Sequence, residues 1–115
     1  MDKYRIDSHK LMYHLPRVCD WLSGKIIYPV YMEISPVGSC NHRCIFCAYD
    51  FIGYPNRKLD CKRFLAFIGE AKEAGVKSLL YAGEGEPLLH PDIKKFIVYS
   101  KNSGIDVGLF TNGQL

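Results

Sequence analysis

The chain has 115 residues, of which 48% are hydrophobic and 23% are charged, so it is long enough for one domain with a modest core. Its formal net charge of +3 comes from basic pairs scattered among acids, which favours a solvated surface over nucleic-acid binding. No apolar run approaches the roughly 20 residues that a membrane helix needs, and the charged opening segment predicts no secretory signal. We therefore expect a cytoplasmic protein without membrane or nucleic-acid partners.

The N-terminal residues 1–28 are predicted to form a helical arm. A capping-type residue, Ser8, begins the first helical piece, and a proline opens a second piece over 16–22 that ends at residues 23–24. His9 and His14 are interpreted as ordinary surface histidines rather than metal ligands. Apolar residues at a helical interval predict a face that packs against the domain, namely Leu11, Leu15, Val18 and Leu22.

Residues 29–115 are predicted to form a parallel α/β domain. The pattern indicates a strand, a helix, a strand, a helix and a strand over residues 30–35, 60–75, 76–82, 91–104 and 105–110. Asp60 is a predicted N-cap, and Gly75 and Gly104 lie where helices end. Strand and helix in this alternation, with short connections, predict a parallel sheet with right-handed crossovers. Residues 50–56 are predicted to be loop.

Three segments that contain candidate functional residues follow the three predicted strands. They are the cysteine loop 40–47, the glycine-rich turn 83–87 and the turn 111–113. Ligands of parallel α/β sheets bind at the carboxyl ends of the strands. We therefore expect the three segments to meet and form a site.

The cysteine loop places three thiols within eight residues, at Cys40, Cys44 and Cys47. An iron-sulfur cube normally takes four thiolates, so three leave one iron free for a small molecule. A single zinc ion is the alternative, and it would need a fourth ligand, for which Cys61 is a better candidate than His42. The odd count of five cysteines in a chain without a secretory signal predicts a reducing compartment. Cys19 and Cys61 are interpreted as small buried or half-buried hydrophobic residues.

The spacing C-x3-C-x2-C with Phe46 before the last cysteine resembles the signature of the radical S-adenosylmethionine (radical SAM) superfamily. The turn 83–87 is similar to that family's Gly-Gly-Glu-Pro motif, and 111–113 is similar to its Thr-Asn-Gly. The resemblance implies a barrel of about six strand-helix units, of which residues 29–115 supply the first half. It also implies that the chain is the N-terminal part of a longer protein, with a self-sufficient chain as the alternative.

The resemblance further implies a 4Fe-4S cluster bound by Cys40, Cys44 and Cys47, with S-adenosylmethionine (SAM) on the free iron. It assigns SAM contacts to Phe46, Gly83, Gly85, Glu86, Pro87 and Asn112. Glu84 stands where the motif has its first glycine, so Glu84 and Glu86 both remain candidates for the SAM ammonium, and Glu86 is favoured. Core packing is the other interpretation of Phe46, and a plain turn is the other interpretation of Asn112.

The function implied is that of an enzyme that reductively cleaves SAM to a 5′-deoxyadenosyl radical, which then abstracts hydrogen from a substrate. Such an enzyme needs a reducing partner such as flavodoxin or ferredoxin. The sequence leaves open the substrate and whether SAM is consumed or regenerated. Two other functions remain: a non-catalytic iron-sulfur module for electron transfer or sensing, and a zinc-stabilised structural domain.

Overall fold

The computed structural model describes residues 10–115, so the predictions for Ser8 and His9 lie outside the described residues. Two short 3-10 segments, Lys10–His14 and Pro87–Leu89, accompany the regular elements. Within 10–115, no helix combines the length and the apolar character needed to cross a bilayer. In chain order the elements are α1 (Leu15–Leu22), β1 (Tyr31–Ile34), α2 (Ala48–Ile52), α3 (Cys61–Glu73), β2 (Ser78–Tyr81), α4 (Ile93–Asn102) and β3 (Asp106–Leu109).

The three strands form one parallel sheet in the order β1-β2-β3. The register aligns Ile34 with Tyr81, and Tyr81 with Leu109, so all three strands end at the same level. Helices α3 and α4 connect successive strands and pack on each other beside the sheet. The predicted parallel α/β fold is confirmed, and its strand ends meet at one edge of the sheet.

Helix α3 begins and ends where the sequence predicts. The Asp60 carboxylate accepts a hydrogen bond from the backbone N–H of Arg63 at 2.9 Å, which satisfies a donor that the first turn leaves free. Gly75 follows the helix with φ +82°, a conformation that glycine adopts without steric cost. The apolar stripe Phe64, Ile68 and Ala71 is buried against the sheet.

The core lies between the sheet and the two long helices. Phe64 packs edge-on against Phe96 of α4, with ring centroids 4.7 Å apart. Inside this core the Tyr81 hydroxyl and the Ser100 hydroxyl hydrogen-bond to each other at 2.8 Å, so neither is left unpaired. Strand β2 and helix α4 are thereby joined by a polar contact within apolar surroundings.

His90 fixes the path from β2 into α4. Its ring is buried, with its centroid 4.7 Å from that of Phe96. The backbone N–H of Asp92 donates to Nδ1 at 3.1 Å, so the ring proton is on Nε2, which donates to the Leu59 carbonyl at 2.9 Å. One neutral imidazole therefore ties the start of α4 to the segment that precedes α3.

The N-terminal arm is attached differently from the prediction. Leu11, Leu15 and Leu22 are exposed and Val18 is only half-buried, so the predicted packing of this face against the domain is wrong. The arm is held by Arg17, whose guanidinium donates to four backbone carbonyls, those of Tyr28, Pro29, Ala74 and Gly75. Two of these carbonyls follow α3, where helices leave such acceptors free.

Helix α2 occupies part of a segment that was predicted to be loop. It starts directly after Cys47, whose extended backbone serves as the N-cap, and it ends at Gly53 with φ +88°. Its large apolar residues, Phe51 and Ile52, are exposed, so no buried stripe marked the helix in the sequence. The prediction of loop over 50–56 is therefore wrong for residues 50–52.

Candidate functional site

The three strand-end segments line an open cavity of about 270 Å³ at the surface. The cysteine loop follows β1, the glycine-rich turn follows β2, and the turn 111–113 follows β3. The lining residues come from all three segments and are Cys40, Ala82, Gly83, Gly85, Glu86, Phe110, Thr111 and Asn112. The predicted meeting of the segments is therefore present in the structure.

Glu86 carries a carboxylate that is buried at this cavity, with the residue only 2% exposed. Oε1 accepts from the Leu88 N–H at 3.0 Å and from the Thr111 hydroxyl at 2.8 Å, and Oε2 accepts from the Asn112 N–H at 2.7 Å. Among residues 10–115, it has no ion pair with a basic side chain. A buried carboxylate without a cation is costly, so this position suits a positively charged ligand.

Glu84 lies in a different environment. It is half-buried, and its backbone N–H donates to the Ser35 hydroxyl at 3.2 Å. The preceding Gly83 has φ +106°, and an added Cβ there would lie 2.6 Å from the Ser35 Cβ. The glycine thus allows the turn to lie directly against the end of β1.

Gly85 allows the glycine-rich turn to contact the backbone of the cysteine loop. An added Cβ would lie 2.5 Å from the Val37 carbonyl oxygen and closer still to that of Ser39. The next residue, Glu86, donates its N–H to the same Ser39 carbonyl at 2.9 Å. The turn and the segment before Cys40 are therefore in direct backbone contact.

The three loop cysteines are free thiols and all are half-buried. The His42 N–H donates to the Cys40 sulfur at 3.4 Å, and the Cys47 N–H donates to the Cys44 carbonyl at 2.9 Å. Within 10–115, no three His, Cys, Asp or Glu side chains are close enough together to hold a single metal ion. In an iron-sulfur cube each thiolate binds a different iron, and three free thiols in one loop beside a cavity are a donor set that fits such a cluster.

Tyr54 interacts directly with the last of these thiols. Its hydroxyl lies 3.3 Å from the Cys47 sulfur, in a hydrogen bond that favours the thiolate. This hydrogen bond, with backbone N–H groups of α2 in support, lowers the pKa of Cys47 below its usual value. The same hydrogen bond, with burial second, raises the pKa of Tyr54 to about 12. A thiolate is the form that binds metal.

Arg43 organises the middle of the cysteine loop. Its guanidinium donates to the Cys40 carbonyl at 3.0 Å and to the His42 carbonyl at 2.7 Å. Its Nε lies 3.1 Å from the Asp50 carboxylate, and the guanidinium carbon lies 4.7 Å from the centre of the Tyr54 ring. One cation thus holds the loop to the helix that follows it.

A second set of polar contacts joins the cysteine loop to the turn after β3. The Asn112 side-chain amide donates to Asn41 Oδ1 at 2.8 Å, and the Asn41 amide donates to Gln114 Oε1 at 3.1 Å. His42 Nε2 lies 2.6 Å from the same Gln114 oxygen. Asn112 also accepts from the Gln114 N–H at 3.0 Å, so it forms the predicted turn and contacts the loop as well.

The remaining predicted site residues differ in exposure. Pro87 is buried beside Glu86, whereas Phe46 is 88% exposed, so Phe46 does not pack in the core. The SAM contact that the resemblance assigns to Phe46 stays a prediction. Cys61 is half-buried against the core, as expected, but Cys19 is exposed.

Sequence reasoning missed several residues that shape the site. Residue type and spacing do not distinguish Asn41, Arg43 and Gln114 from ordinary polar loop residues. Their contacts join segments that lie far apart in the sequence, and polar residues in loops are common. The usable signal was position, since each follows the carboxyl end of a strand.

Comparison with known proteins agrees with this geometry. The family model described as "Radical SAM superfamily" matches residues 34–115, which contain all three strand-end segments. The chain belongs to the radical SAM superfamily. Membership supports a 4Fe-4S cluster and SAM as the cofactors of this chain.

Curated relatives include two bacterial proteins named GTP 3′,8-cyclase. The protein from Clostridium acetobutylicum is 38% identical over 89 residues, a match that covers 74% of this chain and 28% of the relative. The protein from Chlorobaculum tepidum is 34% identical over 87 residues, covering 74% of this chain and 26% of the relative. The chain thus spans about a quarter of the length of the radical SAM relatives that it matches.

Solved structures share the fold. Streptococcus suis SuiB bound to S-adenosylmethionine superposes with a TM-score of 0.70 at 24% identity, covering 99% of this chain and 27% of SuiB. BtrN in complex with AdoMet and 2-DOIA superposes with a TM-score of 0.67 at 17% identity, covering 79% of this chain and 38% of BtrN. These likenesses confirm the predicted parallel α/β fold.

Proposed function

We propose that this chain provides the cluster-binding and SAM-binding part of a radical SAM enzyme, the N-terminal half of its core domain. One observation carries the proposal. The buried carboxylate of Glu86, which pairs with no basic side chain in the described range 10–115, lies in a cavity that Cys40 also lines. A ligand in this cavity would contact a negative charge on one side and a thiolate-bound iron on the other, and SAM carries the cationic ammonium that such a site requires.

The residues fit these roles in the following way. Cys40, Cys44 and Cys47 would hold the cluster, and the hydrogen bond from Tyr54 favours the thiolate of Cys47. Oε2 of Glu86 accepts one hydrogen bond within the chain, so it keeps a lone pair for the ammonium group of SAM. The other predicted SAM contacts lie in the same three segments and are Phe46, Gly83, Gly85, Pro87 and Asn112.

The bound cofactors would supply one-electron chemistry, in which SAM is cleaved reductively and its 5′-deoxyadenosyl group removes a hydrogen atom from the substrate. The protein's own part would be to bind and orient SAM and to exclude water. Glu86 and the glycine-rich turn would serve this role. This chemistry needs an external electron donor, for which we propose a flavodoxin or ferredoxin in a reducing, cytoplasmic setting. The five free cysteines are compatible with that setting.

A guanosine nucleotide is the substrate class to test first, because curated relatives at 38% and 34% identity are named GTP 3′,8-cyclase. The chain spans about a quarter of those relatives, so the substrate is a proposal about the whole enzyme. The cofactor site can be tested independently of it.

The deciding experiment is anaerobic reconstitution of the 115-residue chain with iron and sulfide, followed by reduction and electron paramagnetic resonance with and without SAM. We expect a reduced-cluster spectrum that changes when SAM is added, because SAM binds the open iron. A cluster spectrum indifferent to SAM would favour a non-catalytic iron-sulfur module instead. A colourless, air-stable protein with about one zinc per chain would favour the zinc-stabilised domain.

A further inference from the structure

Four side chains join the cysteine loop to the turn after β3. Of these four, only Asn112 is a predicted cofactor contact. We call these four residues, Asn41, His42, Asn112 and Gln114, the loop–turn clamp. Its three contacts measure 2.6–3.1 Å and connect residues 71 to 73 positions apart in the chain. They are exposed, so each contact alone contributes little to stability.

Two donors of the clamp share one acceptor. Asn41 Nδ2 and His42 Nε2 both contact Oε1 of Gln114. Asn41 and His42 lie between Cys40 and Cys44, so the clamp acts on the part of the loop that carries the first two predicted cluster ligands. Removing one oxygen atom, that of Gln114, would remove both contacts.

Asn112 extends the connection into the cavity. Its side-chain amide contacts Asn41 of the loop, while its backbone N–H donates to the buried carboxylate of Glu86 at 2.7 Å. A displacement of the cysteine loop would therefore be transmitted to the hydrogen bonds of Glu86, and the reverse also holds. The contacts are continuous from Asn41 of the cysteine loop, through Asn112, to the Glu86 carboxylate at the cavity.

We propose that the loop–turn clamp is a set of positioning residues that couples cluster loading to SAM binding. This inference rests on the proposed function. It adds a role for side-chain atoms that contact one another and neither cofactor. Because coupling between two sites is reciprocal, an intact clamp should raise SAM affinity when the cluster is present and should favour cluster retention when SAM is present.

The test uses two changes at one position and one control. Gln114→Ala removes the shared acceptor, whereas Gln114→Glu retains an oxygen that can accept from both donors. Asn102→Ala is the matched control, because Asn102 is an exposed carboxamide at the end of α4 and has no side-chain hydrogen bond among the described contacts. Each variant is reconstituted anaerobically, and iron per chain, the SAM dissociation constant and the SAM-induced spectral change are measured.

We expect Gln114→Ala to bind SAM at least fivefold more weakly and to lose iron faster during gel filtration, with SAM giving less protection than in the wild type. Gln114→Glu should restore most of both properties, and Asn102→Ala should match the wild type. Melting followed by circular dichroism checks that the variants fold. His42→Ala removes only the 2.6 Å contact, so it should shift SAM affinity in the same direction by a smaller factor.

The outcomes separate this inference from the proposed function. A wild-type chain without a SAM-responsive cluster would overturn the proposed function and the clamp together. A responsive wild type with unchanged SAM affinity and iron retention in Gln114→Ala and His42→Ala would overturn the clamp alone. Equal losses in Gln114→Ala and Gln114→Glu would also overturn it, because the proposal depends on the acceptor oxygen.

Discussion

At the scale of single residues, Glu84 and Glu86 are close in sequence but unequal in environment. Glu86 is buried at the cavity without a basic partner among residues 10–115, and Glu84 is half-buried. Glu86→Gln keeps the size and removes the charge, so SAM should bind about thirtyfold more weakly, since removing one partner of a buried charge pair costs about 2 kcal/mol or more. Titration of the reconstituted protein with SAM measures this.

Glu84→Gln is the matched control for that experiment, because it removes one carboxylate charge from the same turn. We expect its SAM affinity to stay within about twofold of the wild type, as is usual for a carboxylate that keeps contact with water. Iron content should be unchanged in both variants. A larger loss in Glu84→Gln than in Glu86→Gln would reverse the assignment.

The cysteines allow a second comparison between similar residues. Cys44→Ala should abolish stable cluster loading, because two thiolates hold a cube too weakly. Cys61→Ala should load normally, since Cys61 packs beside the core, away from the loop. Iron and sulfide per chain after desalting give the answer, and full loading of Cys44→Ala would remove Cys44 from the ligand set.

What could be predicted at this scale depended on residue chemistry. Cysteine spacing and a Glu-Pro turn after a strand are rare enough to identify a site from sequence. The loop–turn clamp could not be predicted, because asparagine, histidine and glutamine are ordinary loop residues. Their roles depend on contacts across 71 or more positions, which only the fold establishes.

At the scale of secondary-structure elements, the buried hydroxyl pair between β2 and α4 makes a measurable prediction. Tyr81→Phe or Ser100→Ala alone should destabilise the chain by about 1–3 kcal/mol, because each leaves the other hydroxyl buried and unpaired. The double variant should be less destabilised than the sum of the two, since no polar group remains unsatisfied. Urea unfolding of the four proteins measures the free energies, and strict additivity would contradict the pairing.

Elements with a buried face were predictable and elements without one were not. Helix α3 has a capping aspartate, an apolar stripe and a terminal glycine, and each feature appears in the structure as expected. Helix α2 is short and exposes its apolar residues, so periodicity gave no signal. In the arm, periodicity predicted the helix α1 correctly but not which surface it contacts, because Arg17 rather than the leucines attaches it.

At the scale of the whole molecule, large apolar side chains lie exposed around the cysteine loop, among them Ile45, Phe46, Phe51 and Phe110. In the described part of the chain, β1 and β3 each pair only with β2. Both features favour association between copies. We expect the sedimentation coefficient of the isolated chain to rise with concentration.

Phe51→Ser should reduce this concentration dependence, because it removes one exposed ring without touching the core. Val98→Ser, on the outer side of α4, is the comparison variant and should behave like the wild type. A concentration-independent monomer for the wild type would show that these side chains do not drive association.

The parallel arrangement of the strands and the position of the site were predictable at this scale, because parallel α/β units follow few topological rules. The fold class needed only the alternation of elements. The size of the cavity was not predictable, since it depends on how closely Gly85 lets two backbones approach.

The Glu86 carboxylate bonds to residues at positions 88, 111 and 112, so its environment is complete only after β3 has joined the sheet. Contacts between distant positions form late in folding, because closing the intervening chain costs entropy first. On a ribosome, the cysteines emerge some seventy residues before the last wall of the cavity. The pocket proposed for SAM would then be complete only after synthesis of β3, so a cluster spectrum that responds to SAM would report that the chain has folded through its third strand.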